Sequence, residues 1–153
     1  MARLETVRRV RSSDLERFVA GVLEKHDLLP PAAATVAECL VCANLSGFDS
    51  HGVVRLGHYV RRLEKGTLNP RPAIRFARPA PSVGIVDGDD GLGHVVTTFA
   101  CARAIEMARE TGAASVSIRN SSHFGMAGYY ILKLAAEGVA GMLTTATDAF
   151  LVP

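Results

Sequence analysis

Four prolines fall within residues 67 to 82, TLNPRPAIRFARPAPS, and they constrain the fold more than any other feature of the chain. Proline removes a backbone donor and disfavours helix at the residue before it, so this stretch can be neither a helix nor a central strand. It reads as an extended connector with at most a short strand at Ala73 to Phe76. The residues on either side must therefore fold by patterns of their own.

Before the connector the apolar periodicity is helical. Leu15, Phe18, Val19, Val22 and Leu23 form one stripe, with Ser13 and Glu16 spaced as a capping box, and this helix reaches about His26. The turn Leu29-Pro30-Pro31 restarts the chain into a second helix that buries Val36, Leu40 and Ala43 and ends near Ser46-Gly47, making an antiparallel hairpin with the first. FDSHGVVRLGHYVRRLEKG predicts a third helix, capped by Asp49 or Ser50 and stopped at Gly66. Helical spacing sets Leu56, Val60 and Leu63 on one flank and His51, Arg55, Tyr59 and Arg62 on the adjacent one.

After the connector strand and helix alternate. SVGIVDG predicts a strand, GDDGLG breaks it, and a long helix runs from about His94 to Glu110 and ends at Gly112. Residues 113 to 119 predict a second strand, Gly125 to Glu137 a helix, and Val139 to Thr145 a third strand. Alternation of this kind makes an α/β unit with helices on at least one face of its sheet. We therefore divide the chain into an N-terminal helical part, 1–72, and an α/β part, 73–153.

Bulk composition excludes several classes. With 48% hydrophobic and 21% charged residues the chain is globular, and 153 residues allow one ordinary domain or parts of two. The formal charge is +2, and the densest basic group, Arg3, Arg8, Arg9 and Arg11, reads as solvated surface, so no nucleic-acid partner is expected. No apolar run has membrane-spanning length and no leader pattern opens the chain, which gives a cytoplasmic expectation and no membrane partner. Cys39 and Cys42 form a CxxC, but in mid-helix and without a second pair, so they read as packing and no metal site is expected.

Three places could carry chemistry. DGDDGLGH matches no phosphate-binding spacing and reads either as an Asp-stabilised tight turn or as a loop presenting amides to a ligand. The flank His51, Arg55, Tyr59 offers a proton-exchanging ring, a planar fork for a carboxylate and a hydroxyl donor, or else a polar helix face in water. His123, in SIRNSSHFGMAGYY, follows a strand at the end where α/β proteins gather ligands, with Ser121 or Ser122 as cap of the next helix. Its alternatives are a proton-transfer group and a capping or core residue.

The stretches FDSHGVVRLGHYVRRLEKGTLNP, VDGDDGLGHVVTTFACARAIEMARETG and SIRNSSHFGMAGYY, in this order, resemble the type 2 malate/L-lactate dehydrogenases, which include ureidoglycolate and sulfolactate dehydrogenases. The resemblance implies an oxidoreductase that interconverts 2-hydroxy and 2-oxo carboxylic acids with NAD or NADP, usually a homodimer. It also implies a nicotinamide-binding α/β domain of non-Rossmann type, incomplete in this chain because family members are longer. Ser50, His51, Arg55 and Tyr59 match the family's SHGxxRxxxY segment and His123 its SxHFG histidine. His123 is thereby expected to exchange the proton with His51 assisting, the reverse assignment staying open. Ser50, Arg55 and Tyr59 are expected on the substrate, and Ser121, Ser122, Gly125 and Thr145 on the cofactor. Where the family continues as T-N-x-x-P, this chain has Ala146 and Ala149 in place of the amide and the proline. The competing expectation is a noncatalytic module that binds a carboxylate or supports a dimer.

Overall fold

Chain connectivity and packing are seen in a computed structural model that describes residues 9–146. The first helix, α1 (Ser12–Glu24), begins at an N-cap Arg11 that makes no side-chain cap. The expected capping box is absent because Ser13 already lies inside the first turn. Val19 and Leu23 form the buried face of α1 against α2 (Pro30–Leu45). Phe18, expected in that stripe, is 60% exposed, since Ala20 and Val22 take the flanks of the contact. Prolines at the start of α2 remove only donors that a first turn leaves unpaired.

The third helix is shorter than its pattern predicts. Two 3-10 turns, Asp49–His51 and Val53–Arg55, precede α3 (Leu56–Glu64), and between them Gly52 is extended. The interruption has a physical cause in α2. The Asn44 side chain fills the place where a continuous helix would pass: its Oδ1 accepts from the Val53 N–H at 2.9 Å. A Cβ on Gly52 would fall 2.3 Å from that oxygen. Asn44 also donates to the Asp49 carboxylate, so Asp49 is engaged sideways instead of capping.

The connector contributes more strand than expected. β1 (Arg75–Ala80) pairs antiparallel with β2 (Val83–Asp87), with an irregularity between Ala77 and Ala80 where Pro79 sits. Proline is tolerated there because β1 is an edge strand. A crossover through α4 (Gly93–Thr111) brings β3 (Ser115–Arg119) parallel to β2, giving the order β1-β2-β3. The helix stops at Gly112, whose φ of 83° a side chain would resist. Val96 and Ala100 of α4 cover one sheet face with Val86, Phe76 and Val116, while Val83 and Ile85 on the other remain partly exposed.

The helix after β3 is α5 (Ala127–Ala136), starting two residues later than expected because Gly125 has a φ of 80°. Residues 139–145 do not form the expected strand. The Val139 N–H turns back to the Leu134 carbonyl at 3.0 Å, and Gly141 packs on the Leu134 side chain, so the segment lies against its own helix and pairs with no sheet edge.

Packing crosses the connector. Leu68 and Leu92 join the core of the three N-terminal helices, and Cys39 and Ala43 of α2 pack with Tyr129 and Tyr130 of α5. Cys39 is buried and its thiol is pushed up to about 11, chiefly by that burial, which suits packing rather than nucleophilic chemistry. Cys42 carries a free thiol as well.

Candidate active site

The loop from β2 to α4 is an Asp-stabilised turn. Asp89 and Asp90 adopt φ of 50° and 55°, and the Asp89 carboxylate accepts from the Asn69 side chain and the Ala73 N–H at 2.9 Å each. The amides of Gly88 and Asp90 donate to the carbonyls of Arg119 and Asn120. Those donors are spent on holding the 120–126 loop beside α4. Gly91 and Gly93 allow the approach: a Cβ on Gly93 would lie 2.1 Å from the Ser122 carbonyl oxygen.

Ser122 was expected to cap the helix that follows it, and it does something else. Its hydroxyl accepts from the Gly93 N–H at 2.9 Å and donates to the Gly91 carbonyl at 3.1 Å, so it closes the start of α4. The N-cap of α5 is Met126, without a side-chain cap. His123 therefore plugs no helix end. It stands in the loop with its ring turned toward the N-terminal helices.

There the sequence-distant residues meet. The Tyr59 hydroxyl lies 2.7 Å from His123 Nδ1, and the Gly125 N–H donates to the same nitrogen at 3.3 Å. An amide can only donate, so Nδ1 is the accepting nitrogen of the neutral ring, Tyr59 donates to it, and the proton resides on Nε2. His51 stacks on His123, with ring centroids 5.6 Å apart and planes inclined by 26°. The Ser50 hydroxyl is 3.0 Å from His51 Nδ1. Arg55 donates through Nε to the Ser50 carbonyl at 2.7 Å, which fixes the two short turns to each other, and forms no ion pair among the described residues.

Of the flank that the sequence leaves as either a pocket or a polar face in water, Tyr59 is buried and His51 and Arg55 are half-buried. Tyr59 is 1% exposed, because within α3 it falls on the same face as Leu56, Val60 and Leu63, which pack in the core of the N-terminal helices. Burial holds the Tyr59 phenol well above its ordinary range, so it serves as a neutral donor. His123 is held below the ordinary histidine range, first by burial and then by the positive charges of Arg55, His51 and His58. A half-buried neutral imidazole beside a phenol and an arginine can take a proton from a hydroxyl while a carboxylate is held nearby.

Of the residues expected around a nicotinamide, three share the loop after β3 and Thr145 lies after α5. Ser122 and Gly125 are committed to internal bonds, Ser121 is exposed, and Thr145 is exposed with its hydroxyl on the Ala146 carbonyl at 3.2 Å. Ala149 lies outside the described residues. Tyr59, His51, Arg55 and His123 instead gather in one cluster. Sequence reasoning passed over two residues of this cluster: Asn44, and His94 in the first turn of α4, whose ring meets Tyr59 at 5.1 Å between centroids. Nothing but the glycine beside His94 signalled it.

A helical part, a three-stranded mixed sheet and a histidine–tyrosine pair between them define an α/β protein outside the Rossmann type. The profile of the malate/L-lactate dehydrogenases matches residues 10–153, and the chain belongs to that family. It is 42% identical over 145 residues to a malate dehydrogenase of Pyrococcus abyssi, covering 95% of this chain and 40% of the relative. It is 32% identical over 145 residues to a ureidoglycolate dehydrogenase (NAD(+)) of Escherichia coli O157:H7, covering 95% of this chain and 42% of that one. The solved malate dehydrogenase of Pyrococcus horikoshii OT3 superimposes with a TM-score of 0.85 at 44% identity, over 88% of this chain and 38% of its own. The chain thus spans about 40% of the length of the curated relatives it matches.

Proposed function

We propose that this chain carries the proton-transfer and carboxylate-binding part of an NAD(P)-dependent dehydrogenase acting on small 2-hydroxy acids such as malate or lactate. The observation that carries the reading is the Tyr59 to His123 Nδ1 hydrogen bond at 2.7 Å, beside the His51 ring and the Arg55 guanidinium. Oxidising a hydroxy acid requires the hydroxyl to lose its proton as hydride leaves the carbon. His123 accepts that proton at Nδ1 through the Tyr59 hydroxyl, which passes its own proton to the ring as it takes the one from the substrate; a phenol hydroxyl both donates and accepts, so it can serve as this relay. Reduction runs the same transfers backwards.

Arg55 holds the substrate carboxylate, its terminal nitrogens being the planar fork that suits two oxygens. Ser50 binds a substrate oxygen and orients His51. A bound nicotinamide supplies the hydride acceptor. In this reading residues 1–72 form the substrate side and 73–153 the start of the cofactor side, and the protein works as a homodimer.

The test is titration of the purified chain with NADH and NADPH, with oxaloacetate or pyruvate, following nicotinamide fluorescence and absorbance together. Turnover that His123→Ala abolishes supports the reading. A folded chain that binds oxaloacetate without turnover supports instead the noncatalytic carboxylate-binding module.

A further inference from the structure

His94 is fully buried, and neither of its ring nitrogens has a hydrogen-bond partner among the described residues. With no hydrogen bond to fix it, the ring acts on its neighbours through packing alone. The ring meets Tyr59 at an interplanar angle of 83°, edge to face, and lies 6.4 Å from the His123 ring. On its other side stands Gly125, where an added Cβ would come within 2.8 Å of His94 Nε2. His94 therefore abuts both residues that donate to His123 Nδ1.

We propose that His94 is a positioning residue that holds Tyr59 and the Gly125 turn so that both donors converge on His123 Nδ1, fixing its tautomer for proton transfer. The inference deepens the reading of His123 as the proton-transfer group and rests on it. A flat ring is suited to the place, since it presents a π face to a neighbouring aromatic edge where an aliphatic chain cannot. The ring also has to be uncharged, and burial pushes it down to about 3, so it adds no cation beneath His123. The titratable and charged groups that face His123 are Tyr59, Arg55, His51, His58 and His94.

Nitrogen NMR of the labelled chain, titrated with pH in the absence of nucleotide and substrate, tests this. In the wild type His123 should show a lone-pair signal for Nδ1 and a protonated Nε2. His94→Phe keeps a flat ring and should preserve both the tautomer and the His123 midpoint. His94→Ala, or His94→Gln if the alanine variant fails to fold, should give mixed tautomers. It should also move the His123 midpoint up toward the ordinary value of about 6.5, as Tyr59→Phe should. A folded His94→Ala or His94→Gln with the wild-type tautomer and midpoint overturns the inference, and so does a protonated Nδ1 in the wild type. An inactive chain that shows the His94-dependent signature sinks the dehydrogenase reading alone, and an active chain whose signature ignores His94 sinks this inference alone.

Discussion

The Tyr59 hydroxyl and the Gly125 amide both donate to Nδ1 of His123, at 2.7 and 3.3 Å, although Tyr59 is separated from the histidine by 64 positions in the chain. Removing the phenol hydroxyl with Tyr59→Phe deletes one of these donors and leaves the ring in place. The expected stability loss is about 1 kcal/mol, read from urea unfolding. His123→Gln removes the base itself and should lower kcat by about 10² to 10⁴. Tyr59→Phe should lower it less, by about tenfold, the equivalent of one hydrogen bond strengthened in the transition state. Unchanged kcat in both variants would place proton transfer elsewhere.

Stability should fall on the acidic side of neutrality. His58, His94 and His123 are all held below their ordinary range, with burial the leading cause in each. A lowered folded-state value means that the unfolded chain binds more protons below about pH 6.5, so stability is full above that value and declines as pH drops through it. His94 carries most of this because its window extends down to about 3. Asp87, held low first by its hydrogen bond from Asn120, acts only in a more acidic window. Urea midpoints measured at about pH 7.5 and about pH 5 should differ, and His94→Gln should remove most of the difference. Equal midpoints for the wild type would contradict a neutral buried His94.

The elements were legible wherever periodicity and punctuation agreed. Val36, Leu40 and Ala43 are buried as the helical spacing predicts, and Gly112 ends α4 at the φ that only glycine adopts freely. The candidate residues His51, Arg55, Tyr59 and His123 were named from motif and chemistry, and the fold brings them together. What the sequence could not show is where Ser50 and His51 stand relative to α3, because the interruption before that helix involves Gly52 and a side chain on another helix, Asn44. Ser122 misled for a related reason. A serine before a helix reads as its cap, yet a tertiary contact with Gly93 competes and wins. Residues 139–145 have strand composition, but a strand also needs a neighbour to pair with.

Gly125→Ala combines two penalties. The φ of 80° disfavours any side chain by about 1–2 kcal/mol, and the new Cβ would stand 2.8 Å from His94 Nε2 and 3.1 Å from Cys39 Sγ. Both neighbours belong to the buried interior and cannot swing into solvent. The variant should lose more than about 2 kcal/mol of stability by urea unfolding, with the His123 resonances shifted by displacement of the Gly125 amide. Gly138→Ala is the control. It has a similar φ of 73° but open space around it, so it should show the conformational penalty alone.

Asn44 is expected to control the substrate side without touching substrate. Its Oδ1 takes the Val53 N–H and its amide reaches the Asp49 carboxylate, so one side chain ties both short turns to the end of α2. Those turns carry Ser50, His51 and Arg55. Asn44→Ala leaves the Val53 donor unpaired and should cost about 1–3 kcal/mol in stability. The looser Arg55 should raise KM for the acid more than it lowers kcat, because carboxylate binding is shared by ground and transition states. Asn44→Asp keeps the acceptor for Val53 but sets a second carboxylate against Asp49, so its stability should fall between the two. A steady-state comparison of the three proteins decides the matter: a KM that ignores Asn44 would mean that the Arg55 to Ser50 bond at 2.7 Å holds the turns by itself.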